Sequence, residues 1–109
     1  MINVDEFDKV DMRVGTIIDV GENKKARKPA YKLTIDFGEE IGIKTSSAQI
    51  TELYAPEELI GKQVVCCVNL TPMHIGSVKS EVRILGSESK QGVVLLQMTE
   101  KVENGDRIF

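Results

Sequence analysis

The segment YKLTIDF, residues 31–37, has the most regular alternation of apolar and polar positions in the chain. Its apolar positions are Tyr31, Leu33, Ile35 and Phe37, and its polar positions are Lys32, Thr34 and Asp36. Neighbouring residues of a β-strand point to opposite faces, so this period of two predicts a strand with one face in a core.

Similar patterns predict strands on both sides of this segment. The expected strands are Arg13–Val20, Ile41–Thr45, Gln63–Leu70, about Glu81–Leu85, and Val93–Met98. In the first of them, Val14, Thr16, Ile18 and Val20 would share one face. Gly15 inside that strand predicts a bend or bulge, and Gly38–Glu40 is typical of a hairpin turn.

Three segments have sequence patterns that predict a helix. Asn3 followed by Glu6 forms a capping-box pattern and predicts a short helix over Val4–Val10. Ser46 or Ser47 can cap a second helix that runs to about Tyr54. Pro56–Leu59 predicts one more helical turn, which Gly61 would end.

The predicted order is three strands, a helix and two strands, with additions at both ends. This order is typical of an all-β protein with an OB-fold, a five-stranded barrel whose short helix lies between strands 3 and 4. An SH3-like barrel is the alternative for short strands at this spacing, but the intervening helix argues against it. A length of 109 residues predicts a single domain over 1–109.

Composition narrows the class of protein. Apolar residues make up 41% of the chain and charged residues 28%, values that are typical of globular proteins. No apolar run is long enough to cross a bilayer, and the acidic N-terminus is unlike a signal peptide. We therefore expect a soluble, cytoplasmic protein with no membrane insertion.

Positive charge is concentrated in one segment, the basic cluster. The cluster consists of Lys24, Lys25, Arg27, Lys28 and Lys32, with no acidic residue among them. The chain as a whole has a net charge of −3, so removing the cluster's +5 leaves −8 elsewhere. Such a distribution favours oriented binding of a polyanion at one patch, although a solvated lysine-rich loop is the alternative.

In an OB-fold the cluster would occupy a ligand-binding position. OB-folds bind along the strand 2–3 face and through the loops between strands 1–2 and 4–5. The cluster belongs to the first loop, and residues 71–81, with His74, Lys79 and Ser80, form the second. The face between them is expected to present Lys32, Thr34, Lys44, Ser46 and Ser47.

Hydroxyls and lysines on one surface suit phosphate and sugar contacts. Helix capping is the alternative role for the two serines, and a plain loop position is the alternative for His74. The chain has five aromatic residues, and most are expected in the core, which leaves few for stacking on successive bases. The pattern therefore favours a folded RNA recognised by shape and backbone.

The sequence gives no sign of catalysis, a metal or a cofactor. Cys66 and Cys67 are adjacent in an apolar run, so they are poorly placed to bond each other and are expected to be buried apolar residues. With one histidine besides, the ligands of a zinc site are missing. No nucleophile motif or glycine-rich phosphate loop is present, so we expect a protein that is not an enzyme.

At the level of motifs the chain resembles the CsaA family of export-related chaperones. The resemblance lies in Arg27-x-Pro29-Ala30-x-Lys32-Leu33-x-Ile35-Asp36-Phe37-Gly38, in Ile41-Gly42-Ile43-Lys44 and in Ser46-Ser47-Ala48-Gln49-Ile50-Thr51. It extends to Phe7-Asp8-Lys9-x-Asp11-Met12-Arg13-x-Gly15-Thr16-Ile17, Gly61-Lys62-Gln63-Val64, Val68-Asn69, Lys79-Ser80-Glu81-Val82 and Leu85-Gly86. It spans nearly the whole chain.

The resemblance implies a homodimeric OB-fold of the tRNA-binding type, akin to domains appended to methionyl- and phenylalanyl-tRNA synthetases. It also implies a link to protein export through unfolded precursor proteins and the export motor ATPase. Together with the loops it predicts an RNA-binding set. That set is Lys24, Lys25, Arg27, Lys28, Lys32, Lys44, Ser46, Ser47, Gln49, Asn69, His74, Lys79 and Ser80.

The family pattern has basic residues after the proline of the strand 4–5 loop, where this chain has Met73 and His74. The departure removes phosphate contacts, on which nucleic-acid affinity depends, and favours the alternative of a chaperone that binds unfolded polypeptide. Met73 can adapt to apolar side chains. The peptide-binding set in this alternative is Tyr31, Met73, Ile75 and Val78.

Residues 93–98, VVLLQM, are apolar at four successive positions, so both faces of that strand are expected to be covered. A small barrel covers one face. Either the N-terminal helix or a second subunit would cover the other, and we expect a homodimer.

Overall fold

The computed structural model describes residues 1–109 and contains a five-stranded antiparallel sheet curled into a nearly closed barrel. The strands of the barrel are β1 (Met12–Glu22), β2 (Tyr31–Asp36), β3 (Ile43–Ala48), β4 (Gln63–Cys67) and β7 (Arg83–Ile84), in the spatial order β3-β2-β1-β4-β7. Helix α2 (Pro56–Leu59) lies between β3 and β4 in the chain. The predicted OB-fold is therefore confirmed.

Six further elements surround the barrel. They are helix α1 (Val4–Asp8), the hairpin of β5 (Met73–Ile75) and β6 (Val78–Ser80), the hairpin of β8 (Gly86–Ser89) and β9 (Gly92–Leu95), and β10 (Arg107–Ile108). The capping box that begins α1 is present, because the Asn3 side chain accepts from the Glu6 amide and the Glu6 carboxylate accepts from the Asn3 amide. Neither helix has the length and apolar character needed to cross a membrane.

Strand β2 has the faces that its alternation predicts. Tyr31, Leu33 and Ile35 are buried, as is Phe37, which follows the strand. They join residues from β1, β4 and α2 in one hydrophobic core. Gly15 of β1 faces this core, and a side chain there would lie 2.6 Å from Ile35 and 2.7 Å from Phe37, which explains the glycine.

The predicted face of β1 is only partly right. Val14 is fully buried as expected, but the hydrophobic core lies on the other face of the strand, where Gly15 and Ile17 point, and Ile18 is 44% exposed. The pairing with β2 shifts register between Ile17 and Asp19, so a bulge is present, later in the strand than at Gly15. The bulge changes the alternation after Ile17, so that Val20 packs against the same core as Ile17.

The helix predicted from Ser46 or Ser47 to Tyr54 is absent. Both serines lie inside β3, where Ser46 is opposite Leu33 and Ser47 is opposite Lys32. Long-range pairing with β2 determines the structure here, and the serines cap no helix. The helix between strands 3 and 4 is Pro56–Leu59 alone.

Residues 71–81, predicted as an open loop, form the β5–β6 hairpin. This hairpin covers the outer edge of β3, since the Thr45 hydroxyl donates to the Lys79 carbonyl at 2.6 Å and the Glu81 amide donates to the Thr45 carbonyl at 2.8 Å. Covering an edge strand protects its free backbone groups. It also fixes the hairpin beside the strand 2–3 face.

The C-terminal residues 99–108, here the C-terminal strap, cross the other end of the barrel. Gln63 donates to the Val102 carbonyl at 2.7 Å and accepts from the Val102 amide at 3.0 Å, and Thr16 donates to Asn104 Oδ1 at 2.7 Å. Strand β10 then pairs with the start of β1. The strap therefore lies near the C-terminal end of β2, and Tyr31 lies at the other end of that strand.

Candidate nucleic-acid interface

The basic loop, residues 23–30, joins β1 to β2 and carries four of the five cations of the basic cluster. Lys24, Lys25, Arg27 and Lys28 are exposed in this loop, and Lys32 is exposed at the start of β2. None of the five forms an ion pair. The three ion pairs of the protein are Arg13–Asp11, Lys44–Glu81 and Arg107–Asp8. The cluster therefore presents uncompensated positive charge to solvent.

Asn23 connects the basic loop to its surroundings. Its side chain is 4% exposed, and Nδ2 donates to Ser47 Oγ at 2.9 Å and to the Ile75 carbonyl at 2.6 Å. One amide thus joins the basic loop to β3 and to the β5–β6 hairpin. Sequence reasoning missed this residue, because an asparagine at the end of a strand is ordinarily a turn residue.

Gly76 allows the hairpin and the loop to touch. It is the first residue of the two-residue turn between β5 and β6 and has φ +61. A Cβ atom at this position would lie 2.7 Å from the Ala26 nitrogen and 2.7 Å from the Lys25 carbonyl carbon. The two predicted binding loops are therefore in direct contact at one end of the barrel.

The hairpin adds exposed polar groups to this end. His74 and Lys79 are cross-strand neighbours, and both are exposed. Ser80 is half-buried, and its Oγ accepts from the Ser47 amide at 3.0 Å, so this hydroxyl connects the hairpin to β3. His74 and Lys79 are free to contact a ligand, whereas Ser47 and Ser80 hold the two loops together.

The predicted strand 2–3 face is corrected at two positions. Lys32, Thr34 and Ser47 share the outer face, but Ser46 and Lys44 stand opposite Leu33 and Ile35 and therefore belong to the other face. Ser46 is 1% exposed and its hydroxyl has no hydrogen-bond partner. Ser46 is thus inaccessible to a nucleic acid.

Lys44 is already paired. Its Nζ lies 4.0 Å from Glu81 Oε2. The pKa of the Glu81 carboxyl lies below its ordinary value, chiefly because it accepts hydrogen bonds from the Thr45 amide and hydroxyl, with the charges of Lys44 and Lys79 adding to this. An ionised Glu81 reduces the positive charge that Lys44 can offer to a phosphate.

Asn69 lies away from the two loops. Its Oδ1 accepts from the Asp11 amide at 3.0 Å and its Nδ2 donates to the Lys9 carbonyl at 2.7 Å. These bonds hold the connection between α1 and β1, at the opposite end of β1 from the basic loop. The predicted RNA contact at Asn69 does not match this position.

The predicted peptide-binding set does not form a continuous apolar surface. Tyr31 is 9% exposed and donates its hydroxyl to the Tyr54 carbonyl at 2.7 Å, and Val78 is 4% exposed. Ile75 is half-buried, so Met73, which is 63% exposed, stands alone. Tyr31 and Val78 are part of the packed interior, and a polypeptide cannot reach them there.

Gln49 is exposed just beyond β3 and borders a cleft of about 550 Å³ next to the basic loop. Lys28 and Pro29 of the loop form one wall, and the β8–β9 hairpin forms the other. This cleft extends the interface to a hairpin that the sequence analysis did not include. No three His, Cys, Asp or Glu side chains converge in a way that would hold a metal ion.

Known proteins are similar to this chain over nearly its whole length. The family described as "Putative tRNA binding domain" matches residues 12–107. Methionine–tRNA ligases of Archaeoglobus fulgidus and Thermococcus kodakarensis are 39% and 36% identical over 107 residues, or 98% of this chain. The chain spans only 16% and 14% of the length of those ligases.

Two solved structures match the chain over its full length. The CsaA chaperone protein of Picrophilus torridus is 48% identical, with a TM-score of 0.95 and all of both chains covered. Chaperone CsaA of Bacillus anthracis is 47% identical, with a TM-score of 0.92, all of this chain and 99% of that chain covered. The chain therefore belongs to the tRNA-binding-domain family and, within it, to the CsaA proteins.

Proposed function

We propose that this protein is a non-catalytic tRNA-binding module that binds folded RNA through its backbone and shape. One observation carries the proposal: the five unpaired cations lie next to a second binding loop, which Asn23 and Gly76 hold in contact with the first. Family membership and the ligase relatives support tRNA as the RNA.

The binding mechanism follows from charge and spacing. Lys24, Lys25 and Arg27 meet phosphate oxygens and release their counterions, which supplies affinity without reading sequence. The other charges of the chain sum to −8, so a polyanion is attracted to this end of the barrel and repelled elsewhere. Because Asn23 fixes the loop to β3, the cations are spaced before RNA arrives.

The proposal includes no chemical step. The Cys66 thiol is fully buried, and burial, with Cys67 beside it, raises its pKa to about 12. It is therefore protonated at neutral pH and cannot act as a nucleophile.

The decisive experiment compares two variants with the same change in charge. In the first, Lys24, Lys25 and Lys28 become alanine, and in the control Lys9, Lys62 and Lys101 become alanine. Binding of bulk tRNA is measured by gel shift at several salt concentrations. The loop variant should bind far more weakly and reduce the slope of log K against log salt by roughly 2–3, whereas the control should change little. Equal losses in both variants, or salt-independent binding, would refute the proposal.

A second candidate function is binding of unfolded polypeptide, which is favoured because the two similar CsaA proteins are named chaperones. Apolar surface for it is available at Met73 and Met98, which are 63% and 39% exposed. An unfolded precursor that binds at high salt without displacing tRNA would establish this function beside the first. If precursor binding is lost at high salt and competes with tRNA, the precursor binds to the basic cluster instead.

We also propose that the protein forms a homodimer. Leu95 of β9 is buried, but Val94 and Leu96 on the other face are 44% and 50% exposed, and α1 does not cover them. Replacing both by serine should give a monomer in light scattering if a second subunit covers this face. The cytoplasmic location stays a prediction from the composition of the sequence, and the export motor ATPase as a partner stays a prediction from the resemblance.

A further inference from the structure

The cleft beside the basic loop has a chemistry different from that of the loop itself. Its walls contain the two cations Lys28 and Lys90 and the two carboxylates Glu52 and Glu88. Its volume of about 550 Å³ lies in the range of small-ligand sites. A surface that served only phosphate would gain nothing from two carboxylates.

Ser89 of the cleft is bonded within the β8–β9 hairpin, but five other polar side chains of the cleft are not used elsewhere in the protein. The 25 side-chain hydrogen bonds and three ion pairs of the structure include none from the side chains of Lys28, Gln49, Glu52, Glu88 or Lys90. All five line the cleft and are therefore unpaired there.

Glu52 lies at the wall of the cleft, close to Gly92. Gly92 has φ +133, and a Cβ atom there would lie 3.0 Å from Glu52 Cβ and 3.0 Å from Glu52 Oε2. The glycine thus lets the carboxylate lie against the β8–β9 turn. On the same hairpin Glu88 is the cross-strand neighbour of Val93, an apolar residue that lines the cleft.

This combination matches a nucleobase with adjacent donors. Ionised carboxylates only accept hydrogen bonds, and two oxygens can accept from two neighbouring donors. The Watson–Crick edge of guanine offers N1–H and the N2 amino group side by side. Adenine and cytosine offer one amino group there, and uracil places one N–H between two carbonyls that a carboxylate would repel.

We infer that this cleft binds one unpaired guanine of the RNA, an inference that rests on the proposed RNA-binding function. Glu52 or Glu88 accepts from the Watson–Crick edge, and Gln49 supplies both a donor and an acceptor. Pro29 and Val93 give apolar surface to the ring. Lys28, shared with the basic loop, meets the adjoining phosphate. Sequence-specific contacts of RNA-binding proteins are made to such unstacked bases in loops and ends.

The test uses guanosine monophosphate and uridine monophosphate, which carry the same phosphate. Each is titrated into the full chain while backbone amide and glutamine side-chain signals are followed by NMR. Guanosine monophosphate should shift the signals of residues 49–52 and 88–93, and uridine monophosphate should shift them much less. The double variant E52Q/E88Q should lose the guanine-dependent shifts.

The same variant also tests the carboxylates in tRNA binding, because the two possible roles change the affinity in opposite directions. If the carboxylates only repel RNA, E52Q/E88Q removes two negative charges and binds tRNA more tightly. If they accept from guanine, tRNA affinity falls by roughly fivefold or more. The matched control E39Q/E40Q, in the turn between β2 and β3, should leave tRNA affinity nearly unchanged.

Each other outcome overturns the inference. Equal shifts with both nucleotides, no shifts at the cleft, or tighter tRNA binding by E52Q/E88Q would remove the guanine site while the proposed tRNA binding stands. Shifts produced by an unfolded polypeptide but not by guanosine monophosphate would assign the cleft to peptide. If the unmodified protein does not bind tRNA at all, the proposed function fails and the guanine site fails with it.

Discussion

At the scale of single residues, the interface depends on Asn23, whose amide is the direct connection between the basic loop and its two neighbours. The five cations could be recognised from the sequence because they are consecutive or nearly so. Asn23 could not, because Ser47 and the Ile75 carbonyl are distant in the chain and reach it only in the closed barrel. Ser46 and Ser47 point to opposite faces of the sheet, because they are adjacent residues of strand β3. The predicted helix cap did not distinguish the two serines in this way.

Replacing Asn23 by alanine should weaken both stability and binding. The substitution leaves the Ile75 carbonyl and the Ser47 hydroxyl without their donor, so the free energy of unfolding should fall by about 1–3 kcal/mol. The basic loop must then be ordered when RNA binds, which should raise the Kd for tRNA by roughly two- to tenfold.

Urea denaturation and gel shift measure the two effects of N23A. Gln91→Ala is the control, because Gln91 is exposed and its side chain makes no hydrogen bond. A stability loss without any change in Kd would mean that the loop keeps its position without Asn23.

Glu81 gives a prediction about pH. Its pKa in the folded protein is lowered, chiefly by the hydrogen bond from the Thr45 amide, so its ionised form stabilises the fold. That contribution is complete above the ordinary glutamate pKa of about 4.3 and is lost as the pH falls through the lower folded value. E81Q keeps an oxygen acceptor but cannot ionise.

The difference in unfolding free energy between the unmodified protein and E81Q should therefore be largest near neutral pH. It should shrink as the pH falls below about 4.3. Urea denaturation at a series of pH values measures it. A difference that stays constant down to strongly acidic pH would contradict a lowered pKa for Glu81.

At the scale of elements, the sequence predicted what depends on local pattern and missed what depends on the barrel. Strand β2 and the capping box of α1 were confirmed because alternation and capping are local properties. The end of β3 and the β5–β6 hairpin were missed, since each is stabilised by the other across the edge of the sheet. The pair Gly76-Ser77 is a hairpin signal that could have found the second element.

Gly76→Ala should separate the hairpin from the basic loop. Two effects add: the strain of φ +61 in a residue with a side chain, and the 2.7 Å approach of Cβ to the backbone of Ala26. Gly42→Ala is the matched control, because Gly42 has φ +83 with nothing within 4 Å of a new Cβ.

Strain alone costs about 1–2 kcal/mol, so G42A should lose that much stability and G76A more. Only G76A should weaken tRNA binding, since only that glycine lies between the two loops. Thermal unfolding and gel shift measure the two properties. If G42A and G76A lose the same stability and affinity, the close approach at Gly76 has no role of its own.

At the scale of the whole molecule, the C-terminal strap and the proposed binding loops lie at opposite ends of the barrel. The basic loop and the β5–β6 hairpin lie at the Tyr31 end of β2, and the C-terminal strap crosses the end near Phe37. Gly105 belongs to that contact, because a Cβ atom there would lie 2.6 Å from the Phe37 carbonyl oxygen. The strap closes the core, and the loops remain free to present charge.

This separation predicts that a variant of the strap and a variant of the loop cations change different properties. Gln63→Ala removes the bonds from Gln63 to the Val102 amide and carbonyl, so it should lower the free energy of unfolding by about 1–3 kcal/mol. Below the melting temperature its Kd for tRNA should be unchanged, because the strap contacts neither binding loop. The variant with Lys24, Lys25 and Lys28 replaced should instead keep its stability and lose affinity. Chemical denaturation and gel shift on the same samples decide the matter: if Q63A weakens tRNA binding in proportion to its loss of stability, the two ends are coupled, and the binding loops depend on the strap.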